Sequence, residues 1–286
     1  MKQIFEQARI LLHDIYPEKE IEALVKQLLQ KVCNQSRTNI LIYKNRDLLL
    51  ENREDVMQML SRLKTGEPIQ YILGETEFYG SMFKVAPGVL IPRPETEELV
   101  ELIIRENKAA GLAVLDIGTG SGCIAISLAK NMNQASVEAW DISEDALAIA
   151  SGNNQLSRTN VTFRQVDVLN LTVEQMSAKF DIIVSNPPYV CEEEAEAMHV
   201  NVMEFEPHIA LFVPDKNPLL FYRKIAESGL SLLNPRGKIY FEINERFGSM
   251  TANMLAELSY SNAEVIKDIF GKDRIVMAQI NLPAHQ

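Results

Sequence analysis

The chain has 286 residues, of which 47% are hydrophobic and 23% are charged. This composition is typical of a folded globular protein and argues against an intrinsically disordered chain. No apolar run approaches the roughly 18 residues that a membrane-spanning helix needs, and charges interrupt the N-terminal segment too often for a secretion signal. We therefore expect a cytoplasmic protein.

The net charge of -11 is distributed unevenly along the chain. Residues 1–85 hold 12 basic and 12 acidic side chains, which leaves 16 basic and 27 acidic ones among residues 86–286. Because the acidic part would repel a phosphate backbone, the charge argues against a nucleic-acid substrate. The cysteines Cys33, Cys123 and Cys191 form no C-x-x-C pair and the four histidines form no H-E-x-x-H motif, so we expect neither disulfides nor a metal.

The first 65 residues are predicted to form a small helical bundle. Apolar side chains recur at helical spacing in two segments, 21–32 and 46–63. The recurring residues are Ile21, Leu24, Val25, Leu28, Leu29 and Val32 in the first segment, and Leu50, Val56 and Leu60 in the second. Each stripe has to be buried against something, and a helical bundle is the natural solution.

Residues 66–95 are predicted to be a connector that contains a short β-hairpin. Eight glycine and proline residues interrupt short aromatic and β-branched runs such as EFYG and MFKV. This punctuation is typical of turns and short strands.

Residues 96–286 alternate between strand and helix patterns. Strands are predicted at 113–118, 136–142, 161–166, 180–185, 237–243, 263–269 and 274–280, and helices at 95–108, 121–132, 145–155 and 218–232. Such alternation predicts an α/β fold, in which helices cover a mostly parallel sheet of seven strands. The loop between the last two strands is too short for a parallel crossover, so these strands are predicted to form a terminal antiparallel hairpin.

A glycine-rich loop, D-I-G-T-G-S-G, follows the first of these strands. Glycines permit a sharp turn and the close approach of a ligand, and ligands of open α/β sheets bind at the carboxyl ends of the strands. The G-x-G-x-G spacing differs from the dinucleotide fingerprint, and Asp116 would repel a pyrophosphate but tolerate an amino group. The loop therefore favours S-adenosylmethionine, with candidate contacts at Gly118, Thr119, Gly120, Ser121 and Gly122.

Acidic residues end the next two predicted strands. Asp141 is placed to accept hydrogen bonds from both ribose hydroxyls, and Asp167 to accept one from the adenine amino group. The alternative for both residues is helix capping, although Ser143 is a better N-cap candidate than Asp141.

The fourth strand runs into Asn186-Pro187-Pro188-Tyr189, a turn that two prolines make rigid. An amide nitrogen is a poor nucleophile, because its lone pair is delocalised. The Asn186 side-chain oxygen and the Pro187 carbonyl could accept hydrogen bonds from the two N–H groups of such an amide. They could also stabilise the charge that develops on its nitrogen during methyl transfer. Tyr189 could stack on a flat group. The alternative is a turn that only ends the strand.

In these motifs the chain resembles the HemK/PrmC family, the peptide chain release factor glutamine N5-methyltransferases. The resemblance is carried by DIGTGSG and NPPYV, and by three further segments. These are GEPIQYILGETEFYG (66–80), VLIPRPETEELVE (89–101) and FEPHIALF (205–212). N-P-P-Y alone is shared with adenine-N6 DNA methyltransferases, so the connector segments are the more specific evidence.

The resemblance implies a helical substrate-recognition domain at 1–65, a hairpin linker at 66–95 and a Rossmann-like class I methyltransferase domain at 96–286. It implies cofactor contacts from Gly118 to Gly122 and at Asp141 and Asn186. The target would be the glutamine of the Gly-Gly-Gln motif in class 1 release factors, held by Asn186 to Tyr189. Val168 is a departure, since some relatives have an aromatic residue there that covers the adenine more fully.

Three other functions compete with this one. A related enzyme methylates a glutamine of a ribosomal protein by the same chemistry. An adenine-N6 DNA methyltransferase is disfavoured by the acidic charge and by the lack of a target-recognition domain, and a non-catalytic cofactor-binding protein by the intact Asn186 turn. We accordingly expect a monomer that binds release factors and contacts neither nucleic acid nor membranes.

Overall fold

The computed structural model describes residues 2–35, 39–40, 50–172 and 177–280. The chain divides into two compact units. The helical unit comprises the chain up to Glu75 together with His199–Phe205, and the sheet unit comprises Thr76–Met198 and the chain from Glu206 onward. The division falls inside the segment that the sequence marks as a connector.

The helical unit has its own apolar core. Its helices are α1 (Lys2–Leu12), α2 (Glu18–Cys33), α3 (Leu50–Lys64), α4 (Ile69–Leu73) and the short helix Val200–Phe205. Of the predicted stripe on α2, Ile21, Leu24, Val25, Leu28 and Leu29 are buried, and Val32 packs partly buried against the same core. On α3, Val56 and Leu60 are buried, whereas residues 46–49 and the side chain of Leu50 lie outside the described part of the chain. The prediction of N-terminal helices is confirmed.

A hairpin of β1 (Glu75–Phe78) and β2 (Ser81–Lys84) joins the two units in sequence. Its two loop residues, Tyr79 and Gly80, have φ angles of 45° and 67°. Positive φ at both positions is typical of the type I′ turn, whose twist matches that of the strands on either side. Phe78 and Phe83 pack edge to face behind the hairpin, and their ring centroids lie 6.0 Å apart.

Most of the remaining elements of the sheet unit alternate between strand and helix as the sequence predicts. The strands are β3 (Ala113–Ile117), β4 (Ser136–Asp141), β5 (Thr162–Gln165), β6 (Phe180–Ser185), β7 (Val190–Cys191), β8 (Phe212–Val213), β9 (Leu233–Glu242), β10 (Tyr260–Lys267) and β11 (Asp273–Ile280). The helices are α5 (Pro94–Glu106), α6 (Cys123–Asn131), α7 (Glu144–Ser157), α8 (Leu220–Leu232) and α9 (Gly248–Glu257).

Seven strands form one sheet in the order β10-β11-β9-β6-β3-β4-β5, and β7 and β8 form a small separate pair. The strands from β9 to β5 are parallel, whereas β11 runs antiparallel to both β9 and β10. The predicted α/β fold and its terminal antiparallel hairpin are therefore confirmed. Side chains of alternate residues enter opposite cores: Phe241 packs on one face of the sheet and Tyr240 on the other.

Helix α9, which lies between β9 and β10, shows no clear signal in the sequence and was not predicted. Because β11 is antiparallel to both of these strands, β9 and β10 point in the same direction. A connection between such strands needs a long crossover, which a helix usually supplies.

Among the residues that the structure describes, none of the helices combines the length and the apolar character that a membrane span needs.

Candidate active site

The carboxyl ends of β3, β4 and β6 border a cavity of about 290 Å³ in the sheet unit. This volume lies just below the ~300–1,000 Å³ that is usual for small-molecule sites. Most of the predicted site residues line it: Gly118, Thr119, Gly120, Ser121, Asp141, Asp167, Val168, Asn186, Pro187 and Pro188. Of the other two, Gly122 and Tyr189, neither is among the lining residues, and the structure gives each of them a different set of contacts.

Glycine has a different purpose at two positions of the loop. Gly120 has a φ of 54°, and an added Cβ would meet no atom within 4 Å, so the backbone conformation alone favours glycine there. Gly122 has a φ of 81°, and an added Cβ would lie 3.0 Å from Ile126 Cδ1 and 3.1 Å from Ala150 Cβ. Gly122 therefore allows α6 and α7 to pack closely behind the loop.

Backbone hydrogen bonds hold the glycine loop against β4. The amides of Gly118 and Thr119 donate to the Trp140 carbonyl at 2.8 and 3.0 Å. The Gly120 amide donates to Asp141 Oδ2 at 2.8 Å, and the Ser143 amide donates to Asp141 Oδ1 at 2.9 Å. Each oxygen of the Asp141 carboxylate thus accepts one hydrogen bond from a backbone N–H group. Each oxygen can still accept a further hydrogen bond from a ligand.

Ser143, rather than Asp141, caps the helix that follows β4. Its hydroxyl accepts a hydrogen bond from the Ala146 amide at 3.2 Å at the start of α7. Asp167, by contrast, caps a single 3-10 turn, because its carboxylate accepts from the Leu169 amide at 2.9 Å and from the Asn170 side chain at 2.8 Å. Asp167 also lines the cavity, so the capping role does not exclude contact with a ligand.

Asp116 is fully buried beneath the glycine loop. Its Oδ2 accepts hydrogen bonds from the Thr119 hydroxyl at 2.6 Å and the Ala125 amide at 3.2 Å, whereas Oδ1 has no hydrogen-bond partner among the described residues. Burial raises the pKa of Asp116 to about 7. Asp141 and Asp167, which line the cavity, give it acidic surroundings. They fit a ligand that carries an ammonium group and a sulfonium.

The N-P-P-Y turn lies at the end of β6, which flanks β3 on the side away from β4. The Asn186 side chain donates through Nδ2 to the Thr96 hydroxyl at 3.4 Å. Pro187 and Pro188 line the cavity. Tyr189 is partly buried, and its hydroxyl donates to Glu242 Oε1 at 3.1 Å, so that burial and the Glu242 carboxylate both raise its pKa.

Three polar residues that support the site were missed by the sequence analysis. Asn153 is fully buried on α7, where its Nδ2 donates to the carbonyls of Ser121 and Lys84 at 2.9 and 3.0 Å. Thr96 and Glu242 form the polar network beside Asn186. Glu242 carried a signal in the sequence, because it is a single acid in the apolar run IYFEI of a predicted strand.

An ion pair joins two of the segments that carry the family resemblance. Glu206 is buried, and its carboxylate accepts from the Arg93 guanidinium and from the Ile91 amide, the latter at 3.0 Å. Arg93 also lines the cavity, as does Phe221 of α8, an aromatic residue that the sequence analysis did not select.

Comparison with known proteins matches two family models to the chain. The PrmC N-terminal domain matches residues 3–74, and the methyltransferase small domain matches residues 96–205. A release factor glutamine methyltransferase of Bacteroides thetaiotaomicron is 52% identical over 97% of this chain and 99% of its own. Another of that name, from Flavobacterium psychrophilum, is 47% identical over 93% of this chain and 94% of its own.

The crystal structure of a methyltransferase from Pyrococcus furiosus resembles this chain in fold. It superposes with a TM-score of 0.53 and covers 82% of this chain and 100% of its own. With 19% sequence identity, this similarity shows the fold alone.

Proposed function

Because the chain belongs to the release factor glutamine methyltransferase family, we propose that it methylates the Gly-Gly-Gln glutamine of class 1 release factors. The methyl group goes to the side-chain amide nitrogen N5. S-adenosylmethionine supplies a methyl group on a sulfonium. A carbon–nitrogen bond forms as the carbon–sulfur bond breaks, which leaves S-adenosylhomocysteine, and the nitrogen loses one proton to water.

One wall of the cavity would hold the cofactor. This glycine-loop wall consists of residues 118–121 with Asp141 and Asp167. Asp141 would accept hydrogen bonds from the ribose hydroxyls with the lone pairs that its two backbone donors leave free. Asp167 would accept one from the adenine amino group, and Val168 and Phe221 would supply apolar surface for the ring.

A second wall, formed by Asn186, Pro187 and Pro188 of the N-P-P-Y turn, would hold the target amide. The side-chain oxygen of Asn186 and the Pro187 carbonyl accept hydrogen bonds from its two N–H groups. Both acceptors stabilise the positive charge that develops on the nitrogen in the transition state. The observation that carries this proposal is the hydrogen bond from Asn186 Nδ2 to Thr96. Because it uses the donor end of the Asn186 amide, the acceptor end is available to a ligand in the cavity.

We infer that the helical unit recognises the release factor. The family model of the PrmC N-terminal domain matches this unit, which has its own core and a balanced charge. We further infer a cytoplasmic protein, because the proposed substrate is a translation factor.

Transfer of a labelled methyl group to a panel of purified substrates tests the function. The panel holds class 1 release factors, ribosomal proteins and DNA. We expect label on the Gly-Gly-Gln glutamine of the release factors, located by peptide mass spectrometry. Label on a ribosomal-protein glutamine instead would support the rival glutamine methyltransferase, and label on DNA would overturn glutamine as the target.

The same assay tests recognition by the helical unit. An intact release factor should be methylated with a higher kcat/KM than a short peptide that carries Gly-Gly-Gln, because only the intact factor offers a surface beyond the motif. Equal kcat/KM values for the two substrates would contradict a recognition role for this unit.

A further inference from the structure

Glu242 is a buried carboxylate beside the turn, and none of the steps proposed above uses it. It ends β9 and is 1% exposed. Its Oε2 accepts a hydrogen bond from the Thr96 hydroxyl at 2.6 Å, and its Oε1 accepts one from the Tyr189 hydroxyl at 3.1 Å. A charged group is costly to bury unless such partners compensate it. The hydrogen bonds from Thr96 and Tyr189 therefore compensate the burial of the Glu242 carboxylate, and losing either would be costly.

The hydroxyl of Thr96 connects this carboxylate to Asn186. A hydroxyl has one hydrogen, and Thr96 donates it to Glu242 over the short distance of 2.6 Å. Only the lone pairs of the Thr96 oxygen are left for Asn186, so the Asn186 amide has to turn its donor end toward Thr96. The hydrogen-bond network thus sets which end of the Asn186 amide faces Thr96.

We propose that Glu242 is a positioning residue that fixes the orientation of the Asn186 amide through Thr96. By accepting from Tyr189 it also anchors the far end of the same four-residue turn. The inference rests on the proposed role of Asn186 as an acceptor for the target amide. It adds a reason for selectivity: a fixed acceptor at this point suits an N–H group, so the network favours a glutamine over a glutamate.

A matched pair of variants at Thr96 tests the connection. Thr96→Val keeps the shape of the side chain but offers Asn186 no lone pair, so single-turnover methylation of the release factor should slow about tenfold. Thr96→Ser keeps the hydroxyl and should recover most of that loss. Affinity for S-adenosylhomocysteine, measured by calorimetry, should change much less than the rate in both variants. A normal rate in Thr96→Val would overturn the proposal.

A double-mutant cycle separates positioning from a general structural effect. If Thr96 acts through Asn186, Thr96→Val should slow the Asn186→Ala enzyme less than twofold, because no amide is left to orient. An equal loss in both backgrounds would overturn the positioning role and leave the proposed function intact. Asn186→Ala at the wild-type rate would instead refute the acceptor role of Asn186 itself.

Glu242→Gln provides a second route should Thr96→Val fold poorly. The isosteric amide can accept from Thr96 or from Tyr189 but has only one acceptor end, so the same cycle with Asn186→Ala should again be non-additive. Calorimetric binding of S-adenosylhomocysteine verifies that each variant is folded. An additive cycle for Glu242→Gln would contradict the inference.

Discussion

The two walls of the cavity are built in different ways. On one wall, main-chain amides of the glycine loop bind the Trp140 carbonyl and the Asp141 carboxylate. On the other wall, side chains hold the N-P-P-Y turn, in a network that runs from Asn186 through Thr96 to Glu242 and Tyr189. The first wall is therefore fixed mainly by main-chain donors that bind the end of the neighbouring strand β4, and the second by side chains that lie far apart in sequence.

On the basis of this difference, we propose separate tasks for the two walls. Backbone amides and strand-end acids suit the binding of a cofactor whose shape does not change until the reaction begins. A polarised side-chain network suits the stabilisation of charge that exists only in the transition state. Substitutions in the glycine-loop wall should accordingly alter affinity, and substitutions in the turn should alter the chemical step.

Asn186→Ala should have the largest effect on the rate. It removes an acceptor that matters most as charge develops on the target nitrogen, and comparable losses at preorganised electrostatic sites are about 10²–10³-fold in kcat. Affinity for S-adenosylhomocysteine should fall much less, because Asp141 and the glycine loop remain. Rapid-quench single-turnover assays with calorimetry measure both quantities. A wild-type rate would mean that the turn only ends the strand.

Asn186→Asp sharpens the contrast between binding and chemistry. It keeps an acceptor and the shape but adds a negative charge near the sulfonium, which should stabilise the bound cofactor more than the transition state, where that charge is dispersed. We expect slower turnover with S-adenosylmethionine affinity retained. Replacement of the substrate glutamine by glutamate should abolish methylation, since a carboxylate offers no N–H. Methylation of that glutamate would refute the two-acceptor arrangement.

Asp141→Asn should weaken cofactor binding about tenfold or more, because hydrogen bonds to a charged acceptor contribute roughly 1.5–3 kcal/mol. The amide would also turn an N–H group toward Gly120 or Ser143, each of which now donates to the carboxylate. Calorimetric titration with S-adenosylhomocysteine measures the loss. Asp181→Asn is a matched control, because Asp181 also accepts from a backbone amide but at the start of β6. Equal affinities for Asp141→Asn and wild type would remove Asp141 from the site.

The glycine-loop wall could be predicted from sequence because its signals are local. The loop follows β3 directly, and Asp141 and Asp167 lie at or just beyond the ends of β4 and β5, where the parallel topology brings them to one edge. The turn was predicted for the same reason. Its supporting network was not, since Thr96 and Glu242 are 146 residues apart and meet only through the packing of α5 on the sheet.

The fold shows the same division between local and distant information. Alternating apolar runs predicted all seven strands of the main sheet, but the pair of β7 and β8 was missed. Each of those strands has two residues, too few for any periodicity to be visible. The inclusion of His199–Phe205 in the helical unit was equally invisible, because it follows from tertiary contacts and not from the sequence pattern.

Asp116 predicts an effect on stability that depends on pH. Burial raises its pKa to about 7 in the folded protein from 3.8. Between these values the folded state holds a proton that the unfolded state releases, so stability is lost as the pH rises toward 7. The slope is at most about 1.4 kcal/mol per pH unit.

Asp116→Asn cannot titrate, so its stability relative to wild type should increase from pH 5 to pH 7.5 and then level off. Urea denaturation of the ligand-free proteins across this range measures the difference. A difference that does not vary with pH would show that Asp116 is ionised throughout.

Phe221→Ala should have the smallest effect, and it tests the apolar side of the glycine-loop wall. Phe221 lines the cavity from α8, and Val168 lines it from the turn after β5. Stacking of an aromatic ring on a flat partner contributes about 0.5–1.5 kcal/mol beyond simple burial, so affinity for S-adenosylhomocysteine should fall roughly two- to tenfold. Phe221→Leu keeps apolar volume without the ring and should lose less. Val168→Phe should tighten binding if the adenine lies between these two side chains. Unchanged affinity in all three variants would mean that the ring contacts neither residue.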